Sequence, residues 1–415
     1  MAEVIPFTGI LYNTAKVSGG DVAAPPYDIV TPEMREALYD KNPYNIIRID
    51  SGRELIGDND MENKYARASR YLGEWLAEGI LVKSAKPCLY AYEMDYVVRG
   101  KRRKLRGFFG LVKLVELGKG VYPHEETHSK PKVDRLRLMT ASEANTSPIF
   151  SLYNSPDKGA SRVVERVAES KPHMEAEDLD GVVHRLWVID GESDLAAIAR
   201  DLSDKAVYIA DGHHRYETAL DYRNMLQKKS VDFTGSEPYN YVLMFLANIA
   251  DEALTILPAH RIIRCGREDI LDLVAQHFEV KTIPFDDDII EAMKSRSQTL
   301  GFYQKGRDRQ HLLIYRGDGL KDMHPSLKGL DVTLLHELIL KDILKVCAVH
   351  YEMDPIKAKG MVTDGDFDAV FFLNPTKVED VERVALSSMR MPPKSTYFYP
   401  KVMTGFIINS FKNSI

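Results

Sequence analysis

Apolar positions recur at two spacings, every third or fourth residue in some segments and every second in others, and the two kinds interleave along the chain. Within 63–81, Tyr65, Ala68, Tyr71, Leu72, Trp75 and Leu76 share one side of a predicted amphipathic helix. Segments 90–98 and 108–115 alternate or run apolar as strands do, and the basic stretch Arg99-Gly-Lys-Arg-Arg-Lys-Leu-Arg106 between them reads as a solvated hairpin tip. Short strands are predicted at 182–189 and 206–210 around a helix at 195–202, followed by a helix over 213–229 and an apolar strand at 241–249. Beyond these come a second hairpin (299–304 with 311–316), a strongly apolar helix at 332–346, a buried strand at 366–373 and a helix at 376–389.

This interleaving predicts an α/β (mixed α+β) protein with a mixed sheet and flanking helices. Segments 154–160, 230–238 and 316–331 are rich in Gly, Ser, Pro or Asp and serve as linkers. They suggest three regions. Residues 1–153 form an N-terminal mixed α/β region with the hairpin at 90–115 and a polar loop at 122–150. Residues 161–265 form a β-α-β-α-β core, and residues 266–415 a C-terminal mixed α/β region. The alternative is one compact unit. No internal repeat or low-complexity tract is present.

Composition narrows the partners. The 415-residue chain is 44% hydrophobic and 28% charged, ordinary for a protein able to bury a core. Its net charge of -6 argues against an electrostatic grip on nucleic acid. No apolar run reaches the roughly 20 residues that span a bilayer, and Glu3 and Pro6 interrupt any basic-then-apolar leader. Cys88, Cys265 and Cys347 lie far apart, without metal or redox spacing, as expected of reduced thiols in a cytoplasmic protein. A small-molecule substrate is therefore expected, with neither nucleic acid nor membrane as partner.

The densest polar chemistry lies in Tyr208-Ile-Ala-Asp-Gly-His-His-Arg-Tyr-Glu-Thr-Ala219. An apolar strand stops at Asp211-Gly212, and His213, His214 and Arg215 open a helix that carries Glu217. Such a turn aims backbone N–H groups and a positive dipole end at an anion, which points to a phosphate-binding catalytic loop. A second cluster is Tyr122-Pro-His-Glu-Glu-Thr-His-Ser-Lys-Pro-Lys-Val-Asp-Arg135. Its His124-Glu125-Glu126-Thr127-His128 spells the HExxH zinc pattern, but Pro123 and Pro131 bracket it and few apolar residues could bury such a helix. The expectation is a polar loop supplying Glu125, Asp134 and Arg135, with no zinc shared by the two imidazoles. Asn145-Thr-Ser-Pro-Ile-Phe150 leads Asn145 and Ser147 into a strand and suits a pocket wall. Leu257-Pro-Ala-His-Arg-Ile-Ile263 sets His260 and Arg261 at a strand, and Met391-Pro-Pro-Lys-Ser-Thr-Tyr-Phe-Tyr-Pro-Lys401 combines Lys394 with hydroxyls and rings. Ala24-Pro-Pro-Tyr-Asp28 places Asp28 on a stiff segment able to face a metal or a substrate amine.

In the same order, Ala24 to Asp28, Asn42 to Asn45, His124-Glu125, Asp134-Arg135, Asn145 to Phe150, Ala210 to Ala219, Leu257 to Arg261 and Pro393 to Lys401 resemble the family known as domain of unknown function 1015, nearly end to end. The Asp211-Gly-His-His-Arg215 loop also resembles the nucleotide-phosphate loop of the ParB and sulfiredoxin superfamily, which includes free serine kinases and CTP- or ATP-using relatives. The resemblance implies a ParB/sulfiredoxin-like βα phosphate loop at 206–229. His214 and Arg215 match its phosphate-contacting pair, and Gly212 lets backbone approach the phosphates. His213 stands where sulfiredoxin carries its catalytic cysteine, which excludes cysteine-sulfinate repair.

The expected activity is phosphoryl transfer from ATP or ADP, with Mg2+, to a small acceptor such as a free, serine-like amino acid. Asp211, Glu125, His124, His213 and Glu217 are the catalytic candidates, with Asp211 or Glu125 as general base. Gly212, His214, Arg215, Arg135, His260, Arg261 and Lys394 are the phosphate-binding candidates. Asp28, Asn145 and Ser147 would hold the acceptor, and Asp211 and Asp134 the metal. A nucleotide-binding regulator without turnover, or a metal- or nucleotide-dependent hydrolase, would use much the same groups. Two geometric expectations follow: a strand ending near Ala210 meets a helix starting within about two residues of His213, and Glu125, Arg135, Asn145, Arg215 and His260 border one cavity.

Overall fold

A computed structural model describes residues 1–126, 129–294, 296–317, 319–346 and 348–412. The chain folds into two compact units: Met1–Pro123 with Thr127–Leu254 and Pro400–Ile415, and His124–Glu126 with Thr255–Tyr399.

The first unit is built on a mixed sheet. Its strands run in the order Val121–Tyr122, Val207–Asp211, Ile149–Tyr153, Tyr241–Asn248, Lys101–Lys113, Leu89–Val98, Val183–Ile189 and Met174–Glu177, and Val4–Ile5 also pairs with Lys101–Lys113. Two pairings are parallel, Val207–Asp211 with Val121–Tyr122 and Tyr241–Asn248 with Ile149–Tyr153; the others are antiparallel. The predicted hairpin is present: Val98 pairs with Lys101 across Arg99 and Gly100, both at positive φ (49° and 71°), the primed turn that matches strand twist. Only that turn is a tip. The rest of the basic run is strand, and Arg102 and Arg106 pair with the buried Asp95 and Glu93 across the hairpin.

The strands at 183–189, 207–211 and 241–248 do not neighbour one another, so the segment 182–249 forms no local sheet of its own. The 89–113 hairpin and the Ile149–Tyr153 strand stand between them, which also joins the first two sequence regions into one unit. Residues 400–412 return to that unit through Asn409–Ser410, paired with Ala144–Asn145. Strand alternation gives the sheet two apolar faces. Phe108, Val112, Trp187, Ile209 and Met244 pack with Tyr216 and Ala219 of the His213–Gln227 helix. On the other face Tyr92, Phe109, Phe150, Phe245 and Phe406 stack ring against ring.

The second unit carries an antiparallel sheet ordered Phe278–Pro284, Arg309–Tyr315, Thr299–Gln304, Ala369–Phe372, His260–Ile263, Val349–Glu352. Phe371 and Ile263 face one core while Val370, Phe372 and Ile262 face the other. The helix expected at 332–346 is a short α-turn, Asp331–Thr333, continued by a π-helix, Leu334–Ile343. Among the described residues no helix is long and apolar enough to cross a membrane.

Candidate functional site

The Val207–Asp211 strand is buried through Ala210 and ends at Gly212, whose φ of 94° and ψ of 29° are left-handed values that suit glycine. The His213–Gln227 helix starts at the next residue with no side-chain cap, so amides of its first turn lack an intrahelical acceptor. Strand, turn and helix thus stand where the sequence puts them.

Arg215 folds back over the glycine. A Cβ on residue 212 would lie 2.8 Å from its Nε and 3.0 Å from its Cζ and Nη2. Nη2 donates to Asp211 Oδ2 at 2.7 Å, Nη1 donates to the Pro148 carbonyl, and Nε is buried without a partner among the described residues. Asp211 Oδ1 accepts from Lys401 Nζ at 2.7 Å, so each oxygen of this carboxylate carries a cation. His213 is buried, His214 half-buried, and Glu217 pairs with Lys132 of the Ser129–Ser142 helix.

That helix also brings in Arg135, 7% exposed, with the Tyr27 ring centre 4.1 Å from its guanidinium carbon. Nε and Nη2 donate to Asp134 Oδ2 at 2.9 and 2.5 Å, and Nη1 reaches Asp50 Oδ1 at 3.3 Å. Burial works against the Arg135 charge, but Asp50 and Asp134 outweigh it and hold its pKa above the ordinary arginine value. Asp134 also takes Lys64 Nζ (2.9 Å) and the Tyr65 hydroxyl (2.8 Å); against the opposing effect of burial, Arg135, Lys64 and Tyr65 bring its pKa down to about 2. Burial pushes the Tyr27 phenol up to about 12; Arg215 and Arg135 oppose this, while Asp28 and Asp211 add to it.

Arg135, Asn145, Thr146, Ser147 and Arg215 line a small open cleft, with Leu138, Met139, Ile149 and Val242 as apolar wall. Asn145 also ties the unit together, its Oδ1 accepting from the Leu243 amide (3.1 Å) and Asn409 Nδ2 (3.0 Å). Asp28 is exposed, in the turn beside Tyr27. Of the residues expected around one cavity, Arg135, Asn145 and Arg215 are brought together, whereas Glu125 and His260 belong to the second unit and are not among the lining residues.

In the second unit His124 is fully buried, its Nε2 2.8 Å from Thr396 Oγ1, and Glu125 Oε1 accepts from both the amide and the hydroxyl of Thr396 at 2.8 Å. His128 of the zinc pattern lies outside the described residues. Arg261 is 0% exposed; it donates to the Ala259 and Lys394 carbonyls and to His336 Nε2, and burial lowers its pKa to about 10. It is a strut inside the unit, not an open cation. Burial and Arg261 also lower His260 to about 3, which leaves its imidazole neutral. Lys394 is exposed at φ 60°, and its contact with Arg261 is through the backbone carbonyl.

Asp211 and Asp134 each hold two cations already, and among the described residues no cluster of three or more His, Cys, Asp or Glu could hold a metal ion.

The model of the family described as protein of unknown function DUF1015 matches residues 4–333. The chain belongs to that family. No curated protein sequence matches this DUF1015 protein. Solved structures similar to it include a free serine kinase in complex with AMP (14% identity over 73% of this chain and 88% of that one, TM-score 0.36). Others are a conserved hypothetical protein from Pyrococcus furiosus (14%, 70% and 89%, TM-score 0.36) and C-terminally truncated SbnI from Staphylococcus aureus (12%, 71% and 85%, TM-score 0.38).

Sequence reasoning missed Asp50, Tyr27, Thr146, Lys132 and Lys401 as parts of this DUF1015 site. Tyr27, Thr146, Lys132 and Lys401 sat inside motifs already singled out, and Asp50 was signalled only as a lone acid closing the apolar run Ile46-Ile-Arg-Ile.

Proposed function

We propose that the turn at Asp211–Gly212 and the first turn of the His213–Gln227 helix bind the phosphates of a nucleotide, ATP or ADP, and that the adjoining cleft holds a small hydroxyl-bearing acceptor. The chain is then a small-molecule phosphotransferase, with a free amino acid such as serine as acceptor. The observation that carries this reading is the uncapped helix start at a left-handed glycine, with the Arg215 guanidinium packed directly on that glycine at the cleft wall. Packing alone gives no reason to place a guanidinium and two histidines at one helix end beside a left-handed glycine.

Phosphoryl transfer is mostly positioning and charge stabilisation. The acceptor oxygen forms a bond to phosphorus, the bridging bond to the nucleotide breaks, and the hydroxyl proton passes to a carboxylate. Asp211 is the carboxylate at the loop. Lys401 and Arg215 hold its two oxygens, and a loose transfer asks little of the base because the proton leaves late. No step is assigned to a metal.

The test is a screen of the purified protein with ATP, ADP and CTP against pooled hydroxyl metabolites, read by mass spectrometry. Phosphorylated product is the expected result. Nucleotide binding without turnover favours a regulator, and neither binding nor turnover refutes the phosphate loop.

A further inference from the structure

We infer that the cleft contains a carboxylate receptor centred on Arg135, so that the acceptor is a small hydroxy acid or amino acid held by its carboxylate. This rests on the phosphotransferase reading and specifies which end of the acceptor is recognised. A guanidinium has five N–H groups. One each from Nε, Nη1 and Nη2 of Arg135 is engaged by Asp134 and Asp50, which leaves two, one on each terminal nitrogen. Two carboxylates and the Tyr27 ring, 4.1 Å from the guanidinium carbon, hold the group in place before any ligand arrives. Two N–H groups of one planar fork match the two oxygens of a carboxylate.

Charge selects a monoanion here. Arg135 and Lys64 are balanced by Asp50 and Asp134, so a polyphosphate at this spot would face two carboxylates without a helix N-terminus to offset them. The phosphates belong at Gly212, at the start of the His213–Gln227 helix. Asp50 is 2% exposed, and its Oδ1 also accepts from the Thr146 hydroxyl at 2.7 Å. With its proton directed at Asp50, the Thr146 oxygen is left as an acceptor at the cleft wall, suited to the acceptor's ammonium or hydroxyl. Among the described residues Asp50 Oδ2 is buried with no partner, an arrangement rarely kept in an interior without a use. Asp50 is therefore a positioning residue, acting through Arg135 and Thr146.

The experiment compares matched acceptors on the wild-type chain: L-serine against L-serinamide, L-threonine against L-threoninamide, and glycerate against glyceramide. Loss of a charge-assisted pair should raise KM for each amide tenfold to a hundredfold, with the nucleotide KM unchanged. Arg135→Lys should raise KM for the acids by a similar factor and narrow the acid-to-amide ratio; Asp50→Asn should do so more weakly, in KM rather than kcat. Equal KM for acids and amides on the wild-type chain overturns the receptor and leaves the phosphotransferase reading intact. A nucleotide KM that rises in Arg135→Lys assigns Arg135 to phosphate and overturns it as well. Absence of both nucleotide binding and turnover overturns the reading and the receptor together.

Discussion

Gly212→Ala changes two things at one position, and their separation tests the geometry of the loop. At φ 94° a Cβ costs about 1–2 kcal/mol in backbone strain. The same Cβ would stand 2.8 Å from Arg215 Nε, so the guanidinium must shift away from Asp211 and Pro148. Hydrogen bonds to a charged group contribute about 1.5–3 kcal/mol, which brings the expected loss for Gly212→Ala to about 3–5 kcal/mol. Arg215→Ala removes the same hydrogen bonds outright. In that background Gly212→Ala should cost only the strain, so the two substitutions should be non-additive by about 1.5–3 kcal/mol. Urea titration followed by tryptophan fluorescence measures this cleanly, because the chain has 2 tryptophans and both, Trp75 and Trp187, are buried in the first unit. Additive losses would show that the glycine and the arginine are not coupled, and the close packing would be refuted. The same preparations decide function: both single variants should bind ATP or ADP tenfold to a hundredfold more weakly, and the double variant no worse than Arg215→Ala. Because Arg215 is only 7% exposed, Arg215→Lys should also lower stability, so affinity and not melting temperature is the measure of its phosphate role.

The second unit should weaken on acidification. Burial, with Arg261, lowers His260 and His336 to about 3, so the unfolded chain takes up their protons first and stability falls as pH drops from about 6.5 towards 3. Asp331 acts oppositely: burial raises it to about 6, so the folded state takes up its proton first and regains stability as pH falls from about 6 to about 4. Between pH 7 and pH 5 two histidines against one aspartate leave a net loss of about 2–3 kcal/mol; urea midpoints by circular dichroism that do not move apart from the tryptophan midpoints would contradict it. Lys401→Met should remove one of the two cations on Asp211 and lower stability by about 1–3 kcal/mol, since a partly buried carboxylate loses a charged partner; an unchanged urea midpoint counts against the paired geometry. Elemental analysis should find no zinc on His124, whose Nε2 faces Thr396 at 2.8 Å; one zinc per chain, lost in His124→Ala, would revive the HExxH reading.

Local features carried over from sequence because they depend on neighbours a few residues away. The Asp211–Gly212 turn, the 90–115 hairpin and the 299–304 strand follow from glycine placement and from the period of the apolar positions. Strand order did not, because pairing joins segments whose separation leaves no mark on either. Nothing within 183–189 or 207–211 indicates that the first lies beside Leu89–Val98 and the second beside Ile149–Tyr153. The π-helical stretch Leu334–Ile343 has the same apolar content as an α-helix and was read as one.

The same limit governs the site, where the partners of a charged residue decide what it can do. A sequence shows that a cation exists but not what neutralises it. Arg261 was counted among the phosphate-binding candidates, yet carbonyls and a neutral imidazole absorb its donors in a fully buried setting. Asp211 and Asp134 were counted as metal ligands, yet their charge is met by Lys401, Arg215, Lys64 and Arg135, with Lys401 lying 190 positions from Asp211. Arg135 and Arg215 differ from Arg261 in one respect that decides their use: both line a cleft, Arg135 held by two carboxylates and Arg215 by one carboxylate and a carbonyl, with terminal N–H groups unspent among the described residues. A guanidinium held in place but not saturated binds an anion without first losing its own freedom, which is the condition for strong recognition. That condition can be evaluated only when the partners are known, and here they come from Asp50, Asp134, Pro148 and Asp211, spread over more than half of the first unit.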